Sequence, residues 1–120
     1  MSRYMSVIDM SKDKAELLAG TLDLLVLQTL QTMGPMHGYG IARRIEQMSE
    51  SLRLSQGSLY PALIRLEQQG WVATKPGISE TNRQVKFYSL TRAGARQLQV
   101  EVARWEQASA LVSRVLGAKT

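Results

Sequence analysis

The chain has 120 residues, which is enough for one domain with its own hydrophobic core and short for two. Apolar residues make up 44% and charged residues 21% of the chain, in the range of a folded soluble protein. The chain has no cysteine, which excludes disulfides and thiolate metal sites and suits a reducing cytoplasm; no apolar run reaches the ~20 residues of a membrane span. The net charge of +5 favours an anionic partner, with nucleic acid the first candidate.

The first third of the chain predicts a flexible arm and two helices. Residues 1–14 have no sustained period, whereas residues 15–34 are apolar at helical spacing and end at Gly34-Pro35. Their two neighbouring stripes predict burial on two sides, and the stripes are Leu18, Leu22, Leu25 and Thr29, and Val26, Leu30 and Met33. After a turn at His37 and Gly38, Ile41, Ile45 and Met48 form the inner face of a short second helix.

The stretch SQGSLYPALIRLEQQGWV, residues 55–72, predicts a third helix. Leu59, Leu63 and Leu66 form its inner face, and Gly70 ends it as a C-terminal cap. Pro61 favours a start at Ser58, or a bent first turn, because a proline in the first turn loses no hydrogen bond. A start capped by Ser55 would cost Pro61 a helical hydrogen bond.

The remainder predicts a hairpin and a long last helix. Residues 71–79 and 82–90 alternate as strands around a loop at 76–82, with Val72 and Thr74 on one face. Thr91 then caps a helix whose seam residues alternate by four and three, as in a coiled coil: Leu98, Val102, Trp105, Ser109, Val112 and Leu116. A second copy of this helix is the simplest cover for the seam, and packing against the first helix is the alternative.

Three helices followed by a two-stranded hairpin is the order of a winged helix-turn-helix, so the predicted fold is mostly α with a small β-hairpin. We expect a winged-helix domain over residues 15–90 and a dimerisation helix over 91–120. In such folds the third helix enters the major groove and the hairpin, or wing, reaches the DNA backbone. The residues expected on or near the outer surface of the third helix are Gln56, Ser58, Tyr60, Pro61, Arg65 and Gln68.

Four segments resemble the PadR-like family of transcriptional regulators: GTLDLLVLQTL, GPMHGYGIARRIE, SQGSLYPALIRLEQQGWV and RQVKFYSLTRAG. They cover about residues 15–96, and with a single helix after the wing the chain is similar to the short form of that family. The resemblance implies a homodimer that represses from an inverted-repeat DNA operator. Some such regulators respond to a small effector, and Trp105 is the candidate residue for an apolar or aromatic one.

The resemblance also implies roles for individual residues. Tyr60 is expected to contact the DNA backbone, and Tyr39 to approach a phosphate, although either ring has a packing role as its alternative. Lys75, Arg83 and Lys86 on or beside the wing are expected to neutralise phosphates unless they form an ordinary solvated edge. In the seam, Trp105 is first a packing residue.

Nothing in the sequence indicates catalysis, a cofactor or a metal site. The chain has one histidine, His37, for which turn packing is the expected role, and no phosphate-cradling glycine loop or carboxylate cluster. A second class of function stays open, in which the winged helix contacts another protein and has no operator. Cations on the third helix and wing favour DNA, whereas Glu67 and Glu80 favour the alternative.

Overall fold

The structure is a computed structural model that describes residues 21–48 and 54–117. The elements within those residues, in chain order, are α1 (Leu22–Met33), β1 (Met36–His37), α2 (Gly38–Glu46), α3 (Gln56–Gln68), β2 (Val72–Ile78), β3 (Gln84–Leu90) and α4 (Arg92–Gly117). The predicted arm at 1–14, the start of the first helix at 15–20 and the end of the last helix at 118–120 lie outside the described residues.

Helix α1 lies at the centre of the domain. Its residues Leu22, Val26, Leu27 and Leu30 are buried, and Leu27 belongs to neither predicted stripe. Met33 was predicted to be inward but is 47% exposed, because it is the last residue of the helix, next to the break at Gly34. Gly34 has a φ of +81° and donates its N–H to the Leu30 carbonyl, which ends the helix.

Helix α2 begins earlier than the sequence predicted. His37 is not in a simple turn: it pairs with Phe87 in a short edge strand, and its Nδ1 accepts a hydrogen bond of 3.1 Å from the Gly40 N–H as the N-cap of α2. Ile41 and Ile45 are buried as predicted. Met48 is not on the inner face: the helix ends at Glu46, and Met48 is 72% exposed.

The hairpin is longer and its loop is shorter than predicted. Strand β2 runs through Pro76 and Gly77 to Ile78, so Pro76 pairs with Lys86 rather than lying in the loop. Phe87 covers Gly77 from the facing strand: a Cβ at Gly77 would lie 2.5 Å from the Phe87 ring. That cover explains why a proline-glycine pair continues as strand. With β1 the sheet has three strands in the order β1-β3-β2, one more than predicted.

The core lies between α1, α2, α3 and the inner face of the sheet. It contains the three leucines predicted for α3, together with Val72, Tyr88 and Leu98. Trp71, expected beneath the wing, is half-buried and packs against this cluster. The predicted fold class, a winged helix-turn-helix followed by a long helix, is confirmed.

Two caps hold the wing and α4 to the end of α3. The Gly70 N–H donates to the Glu67 carbonyl and the Trp71 N–H to the Leu66 carbonyl, as expected for a helix that ends in a left-handed glycine. The Thr91 hydroxyl accepts from the Gly94 N–H at 2.9 Å, as predicted for a cap, and donates to the Gly70 carbonyl at 2.7 Å. One side chain therefore joins the starts of β2 and α4.

Candidate nucleic-acid interface

The predicted start of the third helix is wrong. Ser55 is the N-cap: its Oγ accepts a 3.2 Å hydrogen bond from the Ser58 N–H, and α3 begins at Gln56 with Pro61 inside it. Pro61 therefore leaves the Gly57 carbonyl without its usual helical donor. Both residues are exposed, so water can bond that carbonyl and the cost of the earlier start is small. The side chain of Gln56 lies outside what the structure describes.

The three sides of α3 face different parts of the molecule. Leu59, Leu63 and Leu66 are buried in the core. One flank faces the wing, where the Glu67 carboxylate accepts a 3.0 Å hydrogen bond from Thr74 of β2. The opposite flank faces α1, and the outermost side is left to solvent.

Arg65 lies on the flank that faces α1 rather than pointing straight outwards. Its Nη2 is 2.6 Å from Oδ1 of Asp23 in the first turn of α1, and its side chain is 53% exposed. The ion pair holds the guanidinium beside α1, so any contact of Arg65 with DNA competes with Asp23. The sequence does not reveal this pairing, because the two residues are 42 positions apart.

Tyr60 lies between α3 and the start of α2. A Cβ at Gly38 would be 2.9 Å from the Tyr60 hydroxyl, so the ring packs closely on the backbone of Gly38. The residue is nevertheless 36% exposed. The packing role and the predicted outward role are thus compatible, because one side of the ring contacts α2 and the other faces solvent.

Tyr39 belongs to an exposed stack at the start of α2. It is 57% exposed, and its ring lies 6.4 Å from that of His37 with 12° between their planes. Nη1 of Arg43 donates to the Tyr39 hydroxyl at 2.9 Å, and the guanidinium carbon lies 5.6 Å from the Tyr39 ring centre. That hydrogen bond raises the pKa of Arg43. The sequence analysis gave no role to Arg43, whose cation lies beside Tyr39.

The three cations of the wing are exposed but do not share one face. Lys86 pairs across the hairpin with Pro76 and Lys75 pairs with Phe87, which places the two lysines on opposite faces. Arg83 lies at the loop, where its N–H donates to the Ser79 hydroxyl. None of the three has an ion-pair partner within residues 21–48 and 54–117. Their positive charge is therefore available to a ligand.

A cleft of about 370 Å³ separates α3 from the wing. Its lining brings together Tyr39, Tyr60 and Lys86 from the predicted site. The lining also includes Ile64 and Gln84, which the sequence analysis did not select. The helix, the wing and the start of α2 thus present one continuous surface.

The seam of α4 divides into an inner and an outer part. Leu98 is buried in the core of its own domain and Val102 packs against that core, so the prediction of a seam covered only by a partner is wrong for these two residues. Trp105, Val112 and Leu116 are 51%, 55% and 68% exposed. Trp105 borders a second cleft, of about 300 Å³, together with Thr21, Leu24, Glu101, Arg104 and Ala108. The inner part follows the alternative of packing on α1, and the outer part is bare.

Comparison with known proteins assigns the chain to a family. Residues 26–100 match the Transcriptional regulator PadR-like family, which is more than half of the chain. This chain belongs to that family. Its fold resembles that of a PadR family transcriptional regulator from Eggerthella lenta, which is 28% identical over 97% of both chains with a TM-score of 0.76. It also resembles a transcriptional regulator from Clostridium thermocellum, 25% identical, over 82% of this chain and 96% of that one with a TM-score of 0.74.

A curated relative is closer in sequence but much longer. An uncharacterized 37.1 kDa protein from a transposon of Streptomyces fradiae is 47% identical over 78 residues, which are 65% of this chain. The chain spans only 21% of that relative's length.

The family resemblance of the four sequence segments is confirmed, and the protein is a DNA-binding transcriptional regulator. Within the described residues, no helix of the regulator is long and apolar enough to cross a membrane. The same residues contain no cluster of three or more side chains able to hold a metal ion.

Proposed function

We propose that the regulator is a homodimeric repressor that binds an inverted-repeat DNA operator through α3, the wing and the start of α2. The single observation that supports this most strongly is the surface around the 370 Å³ cleft, where Tyr39 and Tyr60 hydroxyls lie beside Lys86. Tyrosine hydroxyls and lysine ammonium groups are donors to phosphate oxygens. Ser58, at the start of the same helix, and the Lys75 and Arg83 cations on the wing extend the donors along the DNA backbone.

The second copy of the chain is proposed to cover the outer part of α4. Three seam residues there are more than half exposed, and a bare apolar stripe on a helix of 26 residues is costly in water. Two copies of the stripe cover each other in a two-fold dimer. Two-fold symmetry presents two α3 helices to DNA, which requires half-sites about one helical turn, ~34 Å, apart. Bound there, the dimer blocks transcription from an overlapping promoter.

The cleft beside Trp105 supports a proposed effector site. Apolar side chains of Leu24 and Trp105 line it with the charged Glu101 and Arg104, a combination that suits a small aromatic or apolar molecule with one polar end. The cleft lies between α1 and α4, so a ligand there changes how the dimer helices meet. It lowers DNA affinity only to the extent that it binds one dimer geometry better than the other.

Salt-dependent binding tests the DNA proposal. A duplex selected in vitro from random sequence by the protein is titrated at several salt concentrations, and a dimer that contacts ~8 phosphates gives a log–log slope near −7. Lys86→Ala should reduce the slope by about one per protomer contact, whereas Gln99→Ala, on the exposed side of α4, should leave it unchanged. A flat response, or failure to select any duplex, would favour a protein-binding winged helix.

Sedimentation tests the dimer, and a reporter gene tests repression. Val112→Glu places a charge in the bare stripe and should yield monomers, whereas Ala103→Glu, on another side of α4, should remain dimeric. Val112 is preferred to Trp105 because Trp105 also borders the cleft with α1. A Val112→Glu dimer of unchanged strength would show that the stripe is not the interface. Repression predicts that a reporter placed behind the selected duplex is silenced by the wild type and not by Val112→Glu.

A further inference from the structure

Ile64 occupies the middle of the outer side of α3, where the core does not account for it. It is 53% exposed although its neighbour Leu63 is fully buried. At 3.6 residues per turn, Ile64 lies about 150° around the helix from the mean direction of the buried residues. It also lines the cleft between α3 and the wing, next to Lys86. An apolar side chain therefore projects from the surface that faces DNA.

Gly57 lies on the same side of α3, about two turns before Ile64, and the fold does not require a glycine there. A Cβ at Gly57 would meet only the Ser55 hydroxyl, at an ordinary contact distance of 3.7 Å. Its φ is not positive, and glycine in a helix costs roughly 1 kcal/mol relative to alanine. A costly residue without a packing reason leaves the helix backbone open to close approach. Gly57 and Ile64 together form a stripe shaped to lie against a surface.

The major groove of DNA offers one apolar group along its base edges, the C5 methyl of thymine, and aliphatic side chains recognise it by contact. We propose that Ile64 is a specificity-determining residue that packs against a thymine methyl in each half-site. This inference rests on the proposed function, in which α3 faces the operator. Lys86 beside Ile64, without an ion-pair partner in the described residues, favours an anionic polymer over an apolar protein surface.

Uracil substitution tests the contact because it removes the methyl group and nothing else. The probe is the duplex selected in vitro by the wild-type protein, with each thymine of a half-site replaced in turn by deoxyuridine. For the wild type, one position is expected to weaken binding about fourfold, the effect of losing one buried methyl. Ile64→Ala should bind the thymine duplex about as weakly as the wild type binds the uracil duplex, and should not distinguish the two.

Ile78→Ala is the matched control, because Ile78 is a 56% exposed isoleucine at the far end of the wing. It should keep the wild-type dependence on the thymine methyl. The proposal is overturned if no uracil position weakens wild-type binding, or if Ile64→Ala retains the fourfold difference. Failure of the proposed function is a separate outcome, in which the wild type selects no duplex at all. Melting curves should be unchanged for both variants, since both side chains are exposed.

Discussion

Gly94→Ala should strongly destabilise the regulator, because Gly94 is where α4 crosses the start of the wing. A Cβ at this position would overlap the Trp71 carbonyl oxygen and lie 2.8 Å from Cδ1 of Leu90. The carbonyl cannot turn away without cost, since it accepts a 3.1 Å hydrogen bond from the Thr91 N–H. The added methyl must therefore push α4 away from the sheet.

The expected loss follows from two opposing effects. Forcing a methyl group into a packed contact costs typically 1–3 kcal/mol, and overlap with backbone places this site at the upper end. Alanine is better than glycine within a helix by roughly 1 kcal/mol, which offsets part of the cost. We expect the free energy of unfolding to fall by about 2 kcal/mol, and the Tm by roughly 8 °C for a chain of this size.

Urea unfolding followed by circular dichroism and tryptophan fluorescence measures the effect. Gly57→Ala is the control, because its Cβ meets only the Ser55 hydroxyl at 3.7 Å and should be neutral or stabilising. If Gly94→Ala is as stable as Gly57→Ala, the packing of α4 on the Trp71 carbonyl does not exist in solution.

Two further predictions concern ionisable groups. Burial raises the pKa of Tyr88, with smaller contributions from Tyr60 and Glu67, so above pH ~10 the unfolded chain loses this proton before the folded chain does. The free energy of unfolding should therefore be insensitive to Tyr88 below about pH 9 and decline as the pH rises beyond ~10. Tyr88→Phe should reduce that decline in urea titrations, and an identical decline in the variant would contradict the assignment. The exposed ion pair of Asp23 and Arg65 should show a coupling of about 0.2–1 kcal/mol in a double-mutant cycle of unfolding, smaller at high salt. No coupling would mean that Arg65 is not held beside α1.

Local patterns in the sequence determined the order of elements, because each depends on residues close together in the chain. Periodicity identified Leu59, Leu63 and Leu66 as the inner face of α3, and a threonine before RAG identified the cap of α4. Where local rules competed, the prediction was less accurate. Pro61 argued for a late helix start, but the Ser55 cap and an accessible Gly57 carbonyl made the earlier start inexpensive.

The tertiary structure alone decided which side chains of these elements meet. Arg65 pairs with Asp23, Phe87 covers Gly77 and the Thr91 hydroxyl bonds the Gly70 carbonyl; the second and third contacts span 10 and 21 positions, and the first 42. Whether Leu98 faced a partner or its own core also depended on how far α4 lies against α1. Spacing within one helix defines a face but not its neighbour, because the neighbour is set by packing among elements distant in sequence.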